Sequence, residues 1–404
     1  MKNLTNDSGS AVNELAKLKI CLAHNVGVSR TAVYPLADYL MPRTLQFIHF
    51  ENPAIYPNSS LVNWFMEGKK LQKTMILRAV RGPLFHQYLL GAVRFLLISL
   101  TNKPVDITIA GDEMYAFLGT LLRTIHRTRL VIFYSIDFFP RRYSNPLMNM
   151  AYEKLSVVTL RRSDSVWNIS ANCRDARLKQ DNEPSKMLVV PHTVQNTHGP
   201  TIRKFNRFEL VYVGALEKEK GVQLAIQGMP RILSRYTQAR LLVVGDGPYK
   251  RELASLTIRL NVGHAVSFVG FQARDRIRGY LEKAGIGVAT YVPPNPEMAS
   301  YYSFPAKVIE YLAHGLPVVT TKIGIADEIS KASAGEVIEY DPSEFSRAAL
   351  RLMSLDDENY MKSRQEAVSV ASNYRVEHIL GRAMKSPLAR GRWRSNFRAF
   401  GALN

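Results

Sequence analysis

Short, nearly continuous apolar segments alternate with helix-like segments along most of this chain. In the first half the apolar segments are residues 19–24, 45–50, 74–80, 105–110, 129–135, 164–170 and 187–192, and in the second half they are 208–216, 240–247, 265–271, 285–292 and 335–340. Strands that are apolar on both faces must be covered on both faces, which is typical of a parallel sheet between layers of helices. The alternation therefore predicts an α/β fold.

Residues 193–206 interrupt the alternation with polar side chains, Gly199 and Pro200, which is typical of a linker. We therefore predict two tandem Rossmann-like domains, each a doubly wound parallel sheet. The predicted boundaries are 1–200 for the first domain, 207–374 for the second, and 375–404 for a C-terminal helix and basic tail that returns to the first domain or to a membrane. Ligands are expected at the carboxyl ends of the strands.

The chain is strongly basic, with 53 Lys and Arg against 34 Asp and Glu, a net charge of +19. This charge predicts an anionic partner, which could be nucleic acid, anionic lipid or a phosphorylated small molecule. Two cysteines, Cys21 and Cys173, leave little scope for a disulfide framework and favour a reducing compartment. The N-terminus lacks the apolar core of a signal peptide, and the apolar run 88–100 contains Arg94 and is too short to cross a bilayer. We therefore expect a soluble or peripheral protein.

Basic residues concentrate in two regions. One is the C-terminal stretch, with Arg382, Lys385, Arg390, Arg392, Arg394 and Arg398 among Trp393, Phe397 and Phe400; the other is in the first domain, with Lys69, Lys70, Lys73, Arg78, Arg81 and Arg94. The C-terminal stretch is either a poorly ordered tail or an amphipathic anchor on an anionic membrane. The apolar run beside the second group is either a buried core helix or a helix that dips into the membrane.

The segment 303–319 predicts a helix that leads directly into a strand. Ser303 is the predicted N-cap with Pro305 in the first turn, and Gly315 is the predicted end of the helix. Lys307 and Glu310 are spaced i, i+3 and share one face. The helix N-terminus and Lys307 could hold a diphosphate, and the Glu310 carboxylate could accept hydrogen bonds from two vicinal hydroxyls. The alternative is an ion pair between them on a solvated face.

Two other loops suit phosphate binding. Gly214 and Gly245 each follow a predicted strand, and Lys220 with Gly221 opens a helix. A glycine lets a phosphate approach the backbone, and a lysine at a helix N-terminus attracts it. Ordinary tight turns between strand and helix are the alternative interpretation.

Five segments taken together resemble a known family. VGALEKEKG (213–221), LLVVGDGP (241–248), VSFVGF (266–271), 303–321 and GIADEI (324–329) resemble, in this order and spacing, the nucleotide-sugar-binding half of a family 4 glycosyltransferase, the glycosyl transferases group 1. The resemblance covers 208–330 well, 331–374 adequately and the first domain faintly. It implies the GT-B architecture, in which an N-terminal acceptor-binding domain and a C-terminal donor-binding domain face each other across a cleft.

The resemblance also implies residue roles in the donor site. Glu310 would hold the donor ribose, Lys220 would contact the pyrophosphate, and Val269 and Phe271 would lie beside the base. The full implied donor-binding set is Gly214, Lys220, Gly245, Val269, Phe271, Tyr302, Ser303, Phe304, Pro305, Lys307 and Glu310. Tyr302 stands where the family's E-x7-E pattern has its first glutamate, and Ala215 stands where an arginine is common. Contacts to the donor sugar must therefore differ, and a retaining outcome is less secure.

In the first domain, YSIDFFPRRY (134–143) follows an apolar strand. Asp137 is the predicted catalytic residue: a general base on the acceptor hydroxyl if the enzyme inverts, or an orienting group if it retains. A helix N-cap is the alternative. Arg141 and Arg142 would suit a phosphate-bearing acceptor. His24 and Asn25, after the first strand, lie where the family's first loop approaches the cleft, and His24 is assigned to acceptor binding.

The implied function is sugar transfer from a nucleotide diphosphate sugar to a glycan or a polyprenyl-diphosphate-linked saccharide in surface or exopolysaccharide synthesis. The expected location is cytoplasmic and peripheral, at the inner face of an anionic membrane. No Asp-x-Asp pair stands in a suitable place, so we predict metal-independent transfer and no cofactor. A nucleotide-sugar epimerase on the same fold, or a non-catalytic basic protein that binds membrane or nucleic acid, remains the alternative. The basic residues form no recognised nucleic-acid module, so no nucleic-acid partner is expected.

Overall fold

The computed structural model describes residues 15–26, 33–53, 60–66, 70–77, 84–195 and 205–384. The chain divides into two compact units. Unit 1 consists of residues 1–193, 296–304 and 376–404, and unit 2 consists of 194–295 and 305–375. The basic residues Lys69, Arg78 and Arg81 and the tail 385–404 lie outside the described residues.

Unit 1 contains an eight-stranded sheet. Its strands are β1 (Lys19–Val26), β2 (Gln46–Pro53), β3 (Ser60–Met66), β4 (Lys70–Leu77), β5 (Val105–Ala110), β6 (Thr128–Ser135), β7 (Ser165–Asn168) and β8 (Met187–Val189), in the order β4-β3-β2-β1-β5-β6-β7-β8. Its helices are α1 (Val33–Leu40), α2 (Leu84–Thr101), α3 (Glu113–Thr124), α4 (Pro146–Arg162) and α5 (Ala171–Gln180). Successive residues of β1 alternate between two apolar clusters, with Leu22 in one and Ala23 in the other. Both faces of the sheet are therefore covered, as a period of two residues requires.

The sheet of unit 1 is not wholly parallel. β3 pairs antiparallel with β2 and with β4, whereas the sequence predicted one strand over 74–80 and none over 60–66. Along β3 the buried Val62 and Trp64 alternate with more accessible residues, and Leu71 and Ile76 of β4 are exposed. β3 and the edge strand β4 are antiparallel strands, which need only one buried face. A search for continuous apolar runs therefore missed the first of them and misplaced the second.

Unit 2 contains a six-stranded, fully parallel sheet. Its strands are β9 (Asn206–Val213), β10 (Arg240–Val244), β11 (Val266–Gly270), β12 (Ala284–Ala289), β13 (Val318–Thr321) and β14 (Gly335–Ile338), in the order β11-β10-β9-β12-β13-β14. Its helices are α6 (Val222–Arg235), α7 (Lys250–Arg259), α8 (Arg274–Leu281), α9 (Ala306–Ala313), α10 (Ala326–Ala332), α11 (Pro342–Ser354) and α12 (Asp357–Ser372). The strand order reverses between β9 and β12. A parallel sheet binds ligands at such a point, outside the carboxyl ends of the strands.

The segment around α9 departs from its predicted cap. The helix begins at Ala306, and the Ser303 hydroxyl donates to the carbonyl of Ser300 at 2.9 Å instead of capping it. The predicted N-cap at Ser303 is therefore wrong, because a 3-10 turn at Ala299–Tyr302 captures that side chain. The predicted helix end is confirmed: Gly315 has φ +68° and its N–H donates to the carbonyl of Leu312.

Two stretches from the second half of the chain belong to unit 1. The first is 296–304, and the second begins with helix α13 (Val376–Met384), which buries Val376, Ile379 and Leu380 in the same apolar cluster as Leu22.

Among the described residues, no helix combines the length and the apolar character needed to cross a bilayer.

Candidate functional site

The ends of β9, β10 and β11 approach one another through glycines. The N–H of Gly245 donates to the carbonyl of Gly270 at 2.9 Å. Gly245 has φ +146°, and a Cβ there would lie 1.9 Å from the carbonyl oxygen of Gly214. Only glycine permits this approach. Two of the predicted donor-site residues, Gly214 and Gly245, therefore lie together at the edge of the sheet where a ligand is expected.

The loop after β9 is fixed against the end of β12. Gly221 has φ +75°, and a Cβ there would lie 1.4 Å from the carbonyl oxygen of Thr290. The Thr290 hydroxyl donates to the carbonyl of Gly221 at 2.8 Å, and the N–H of Val292 donates to the carbonyl of Glu219 at 3.1 Å. These contacts place Lys220 directly before α6, where a helix N-terminus attracts an anion.

Lys307 is a buried ammonium group without a hydrogen-bond acceptor among the described residues. Its Nζ lies 3.8 Å from the centre of the Tyr212 ring and 5.0 Å from that of Tyr291. Burial lowers the pKa of Lys307 well below its ordinary value, and the charge of Lys220 lowers that pKa further, while Glu217 opposes the shift. A buried cation without an acceptor is costly, so the arrangement suits an anion that is supplied from outside.

The structure rejects the alternative interpretation of Lys307 and Glu310 as an ion pair. In the described chain, Nζ of Lys307 has no carboxylate partner. Glu310 is half-buried, and burial raises the pKa of its carboxyl group while Arg274 partly lowers that pKa. Lys307 and Glu310 are therefore two separate polar side chains on α9, and only the Lys307 ammonium is seen to lie against the end of β9, over the Tyr212 ring.

An exposed aromatic ring follows β11. Phe271 is 72% exposed, next to Gly270 with φ +79°, and Val269 is partly buried in the strand. A large exposed apolar ring at a predicted ligand site needs an explanation. A flat, accessible ring is suited to stacking on a nucleotide base.

The predicted donor set is divided between the two units. Gly214, Lys220, Gly245, Pro305, Lys307 and Glu310 lie in unit 2, together with Val269 and Phe271, whereas Tyr302, Ser303 and Phe304 lie in unit 1. The Tyr302 ring packs 4.6 Å from the Phe138 ring, and its carbonyl accepts a hydrogen bond from the Ser170 hydroxyl at 2.6 Å. Its own hydroxyl donates to the carbonyl of Pro296 at 2.8 Å. Tyr302 is thus part of the packing of unit 1.

The predicted acceptor residues differ in exposure. Asp137 is exposed after β6, and it is no N-cap, because α4 begins at Pro146 and is capped by Asn145. Arg141 is exposed and donates to the carbonyl of Ser144 at 3.1 Å. Arg142 instead packs over the rings of Phe139, Tyr152 and Tyr88, at 5.1, 5.2 and 5.8 Å from their centres.

Sequence reasoning missed a polar network at the ends of β1, β2 and β5. Asp112 caps α3 by accepting from the N–H of Tyr115 at 3.1 Å, and its other oxygen accepts from Nδ2 of Asn25 at 2.8 Å. Burial raises the pKa of Asp112 to about 7. Asn52 joins through a 2.9 Å bond from its Nδ2 to Oδ1 of Asn25. In the sequence, the Gly-Asp-Glu that follows the apolar run 105–110 could have indicated this network, because polar residues at the end of a strand often line a site.

His24 belongs to the same edge of the sheet but is buried. Its Nε2 lies 3.0 Å from Nε2 of His49, and the latter lies 3.6 Å from Oε1 of Glu51. All three side chains are at most 7% exposed. His24 therefore faces the interior of unit 1, and neither His49 nor Glu51 was predicted as a site residue.

Residues 207–355 match the family described as Glycosyl transferases group 1. An uncharacterized glycosyltransferase of Methanocaldococcus jannaschii is 31% identical over 131 residues, which are 32% of this chain and 31% of that protein. The putative colanic acid biosynthesis glycosyltransferase WcaL of Salmonella typhimurium is 22% identical over 284 residues, 67% of this chain and 68% of that protein. The match therefore spans about a third of the length of the Methanocaldococcus jannaschii protein and about two thirds of the length of WcaL.

Solved structures share the fold over nearly the whole chain. HepE of Anabaena, in complex with UDP, has a TM-score of 0.64 at 15% identity, covering 94% of this chain and 99% of that one. Sucrose-phosphate synthase from Thermosynechococcus elongatus has a TM-score of 0.65 at 15% identity, covering 94% and 100%. The α/β fold class predicted from the sequence is confirmed, and residues 207–355 match the family that the sequence resembles.

Proposed function

We propose that this chain, whose residues 207–355 match the glycosyl transferases group 1 and which has the GT-B fold, transfers a sugar from a nucleotide diphosphate sugar to a glycan acceptor. One observation carries the proposal: the buried ammonium of Lys307 lacks an acceptor among the described residues and lies at the carboxyl edge of a parallel sheet. A diphosphate supplies the negative charge and the acceptor oxygens that this group lacks. HepE, a relative in fold, has been solved with UDP-glucose.

The residues of unit 2 divide the binding of the donor among them. Lys307 and Lys220 neutralise the diphosphate, assisted by the N-terminus of α6. Glu310 accepts hydrogen bonds from the ribose hydroxyls, and Phe271 stacks on the base. Because two lysines supply the charge that a divalent ion would otherwise supply to the departing diphosphate, we propose that transfer needs neither metal nor cofactor.

For the acceptor half of the reaction, we propose Asp137 as the group that orients or deprotonates the acceptor hydroxyl. Asp137 is exposed, so an incoming hydroxyl can reach its carboxylate. Asp112 has a pKa nearer neutrality, but both of its oxygens already accept hydrogen bonds, from Tyr115 and Asn25. Asp112 therefore supports the loops around the site. Arg141 remains available to a phosphate on the acceptor, whereas Arg142 is enclosed by aromatic rings.

The acceptor that we propose is a glycan or a polyprenyl-diphosphate-linked saccharide in surface polysaccharide synthesis. Helix α2 supports work at a membrane surface. It buries Ala92, Phe95 and Ile98, while Leu89, Val93, Leu97 and Leu100 are 46–58% exposed along one stripe. The helix contains no acidic residue and carries Arg94. An apolar stripe beside basic charge suits the interface of an anionic bilayer, so we place the protein peripherally at the cytoplasmic leaflet.

Vesicle binding tests the membrane assignment. Replacing Leu89 and Leu97 together with serine should weaken sedimentation with vesicles of anionic phosphatidylglycerol at least tenfold, because each leucine contributes about 1.5–3 kcal/mol when fully buried. Ile258→Ser, an exposed position on α7, serves as the control and should bind like the wild type. Equal sedimentation of both variants, or no binding by the wild type, would show that α2 does not bind the membrane surface.

The role of Glu310 predicts a dependence on the ribose hydroxyls. Glu310→Gln should lower the affinity for the preferred nucleoside diphosphate about 10- to 100-fold, since a hydrogen bond to a charged group contributes about 1.5–3 kcal/mol. The affinity for the 2′-deoxy analogue should change much less. Binding of the ribonucleotide should also weaken as the pH falls through the raised pKa of Glu310, because the protonated carboxyl accepts more weakly. Equal losses for both ligands in calorimetric titration would place Glu310 away from the ribose.

A further inference from the structure

Three side chains with metal-binding atoms converge inside unit 1. β1 and β2 run parallel with His24 opposite Glu51 and with His49 opposite Leu22. Residues at i and i+2 of a strand share a face, and so do residues that are paired in register. This register brings His24, His49 and Glu51 to one face, and their ligand atoms all lie within 4.8 Å of one another.

We propose that His24, His49 and Glu51 bind a divalent transition-metal ion of the zinc type. Two imidazole nitrogens and one carboxylate oxygen form a donor set that zinc accepts. The Nε2 atoms of the histidines are 3.0 Å apart, and Nε2 of His49 is 3.6 Å from Oε1 of Glu51. Two nitrogens bound tetrahedrally to one zinc ion lie about 3.3 Å apart, so the two histidine nitrogens need to separate by only a few tenths of an ångström to hold one ion.

The electrostatics of the cluster favour a cation. Glu51 is 6% exposed, and its ion pair in the described part of the chain is with His49. A buried carboxylate is costly unless a positive charge compensates it, and here that charge must come from a protonated imidazole or from a bound cation. A divalent ion at the meeting point of the three ligand atoms would compensate the charge of the carboxylate. It would also bind the Nε2 atom of each of the two histidines.

The surroundings of the cluster fit a ligand set. Nδ1 of His24 lies 3.3 Å from the carbonyl oxygen of Asn25, and such a bond from the second ring nitrogen orients a metal-binding histidine. The Tyr34 ring meets the rings of His24 and His49 edge-on, with centres 5.9 and 5.7 Å apart, and Phe47 packs 6.0 Å from His49. These rings shield the cluster from water, which strengthens binding of a charged ion to its ligands.

The alternative to a metal ion is a proton shared between Nε2 of His24 and Nε2 of His49. One imidazole N–H directed at the other nitrogen would also explain the 3.0 Å separation. A metal ion would replace that proton, and the two possibilities differ in measurable ways. The proposal is independent of the donor site, because it concerns side chains of unit 1 and leaves Lys307 and Lys220 as the groups that neutralise the donor diphosphate.

Metal content and the spectrum of bound cobalt test the proposal. The full chain, produced without a polyhistidine tag, is incubated with Zn²⁺ or Co²⁺ and dialysed. We expect one ion per chain by elemental mass spectrometry, and visible absorption from Co²⁺ in the range of tetrahedral nitrogen and oxygen ligation. His49→Gln and Glu51→Gln should each reduce retention at least tenfold. His264→Gln, at an exposed position of unit 2, should retain the wild-type amount.

Three results would overturn the proposal. The first is that the wild type retains no ion after dialysis, which would assign the cluster to a shared proton. The second is that His49→Gln retains as much metal as the wild type while the circular dichroism of both is equal. The third is an octahedral cobalt spectrum that the His264→Gln control abolishes, since the ion would then lie elsewhere.

Discussion

The Gly221→Ala variant should strongly destabilise unit 2. A left-handed backbone with a Cβ costs about 1–2 kcal/mol, and a Cβ that would lie 1.4 Å from the carbonyl oxygen of Thr290 forces the two loops apart. Overpacking of this kind costs about 1–3 kcal/mol more. We expect a total loss of about 3 kcal/mol or more in the free energy of unfolding, which would appear as a drop of roughly 10 °C in the melting temperature.

The matched control is Gly279→Ala in helix α8. A Cβ at Gly279 would meet nothing within 4 Å, and alanine in a helix is preferred over glycine by about 0.5–1 kcal/mol. This variant should therefore melt at the same temperature or slightly higher. If both variants melted alike, the close approach of the loops after β9 and β12 would be wrong, and the placement of Lys220 would be wrong as well.

The Lys307→Met variant should have two opposite effects. Without ligand it should be more stable than the wild type, because a buried ammonium without an acceptor in the described chain is replaced by an apolar group of similar length. Its affinity for nucleoside diphosphates should fall about 10- to 100-fold, since a charge-assisted hydrogen bond contributes about 1.5–3 kcal/mol. Thermal melting with and without ligand measures both. Lys331→Met, exposed on α10, should show neither effect.

The gain in stability should depend on pH in a defined direction. Because the pKa of Lys307 in the folded protein is below its ordinary value of 10.5, the unfolded chain binds more protons between the two values. Wild-type stability relative to Lys307→Met therefore rises with pH across that window. The advantage of the variant is full below the folded-state pKa and is lost by about pH 10.5. A constant advantage at every pH would show that Lys307 is not desolvated.

The sequence was informative where local chemistry determines structure. Nearly continuous apolar runs predicted the parallel strands, since such strands must be buried on both faces. Gly315 ends α9 with a positive φ, as a glycine two residues before a proline indicates. The spacing of Lys307 and Glu310 on one helix predicted two polar groups for one ligand, and the structure shows no ion pair between them that would make the ligand unnecessary.

The remaining features depend on tertiary contacts that no local pattern contains. Ser303 had a better partner in the carbonyl of Ser300 than in the helix that it was expected to cap. The return of 296–304 to unit 1 rests on packing of Tyr302 against Phe138, two residues far apart in sequence. The meeting of His24 with Glu51 depends on the register of β1 and β2, which the sequence of either strand leaves open.

The measurement that tests the central claim most directly is calorimetric titration of the full chain with UDP, GDP, ADP, CDP and dTDP. We expect at least one of them to bind with one site per chain. At about 100 times its dissociation constant it should stabilise the protein by about 2.7 kcal/mol. At the same ligand concentration Lys307→Met should lose at least half of this stabilisation, whereas Lys331→Met should keep it. If none of the five binds the wild type, the site at the end of β9 is not a donor site, and the proposed transferase function is contradicted.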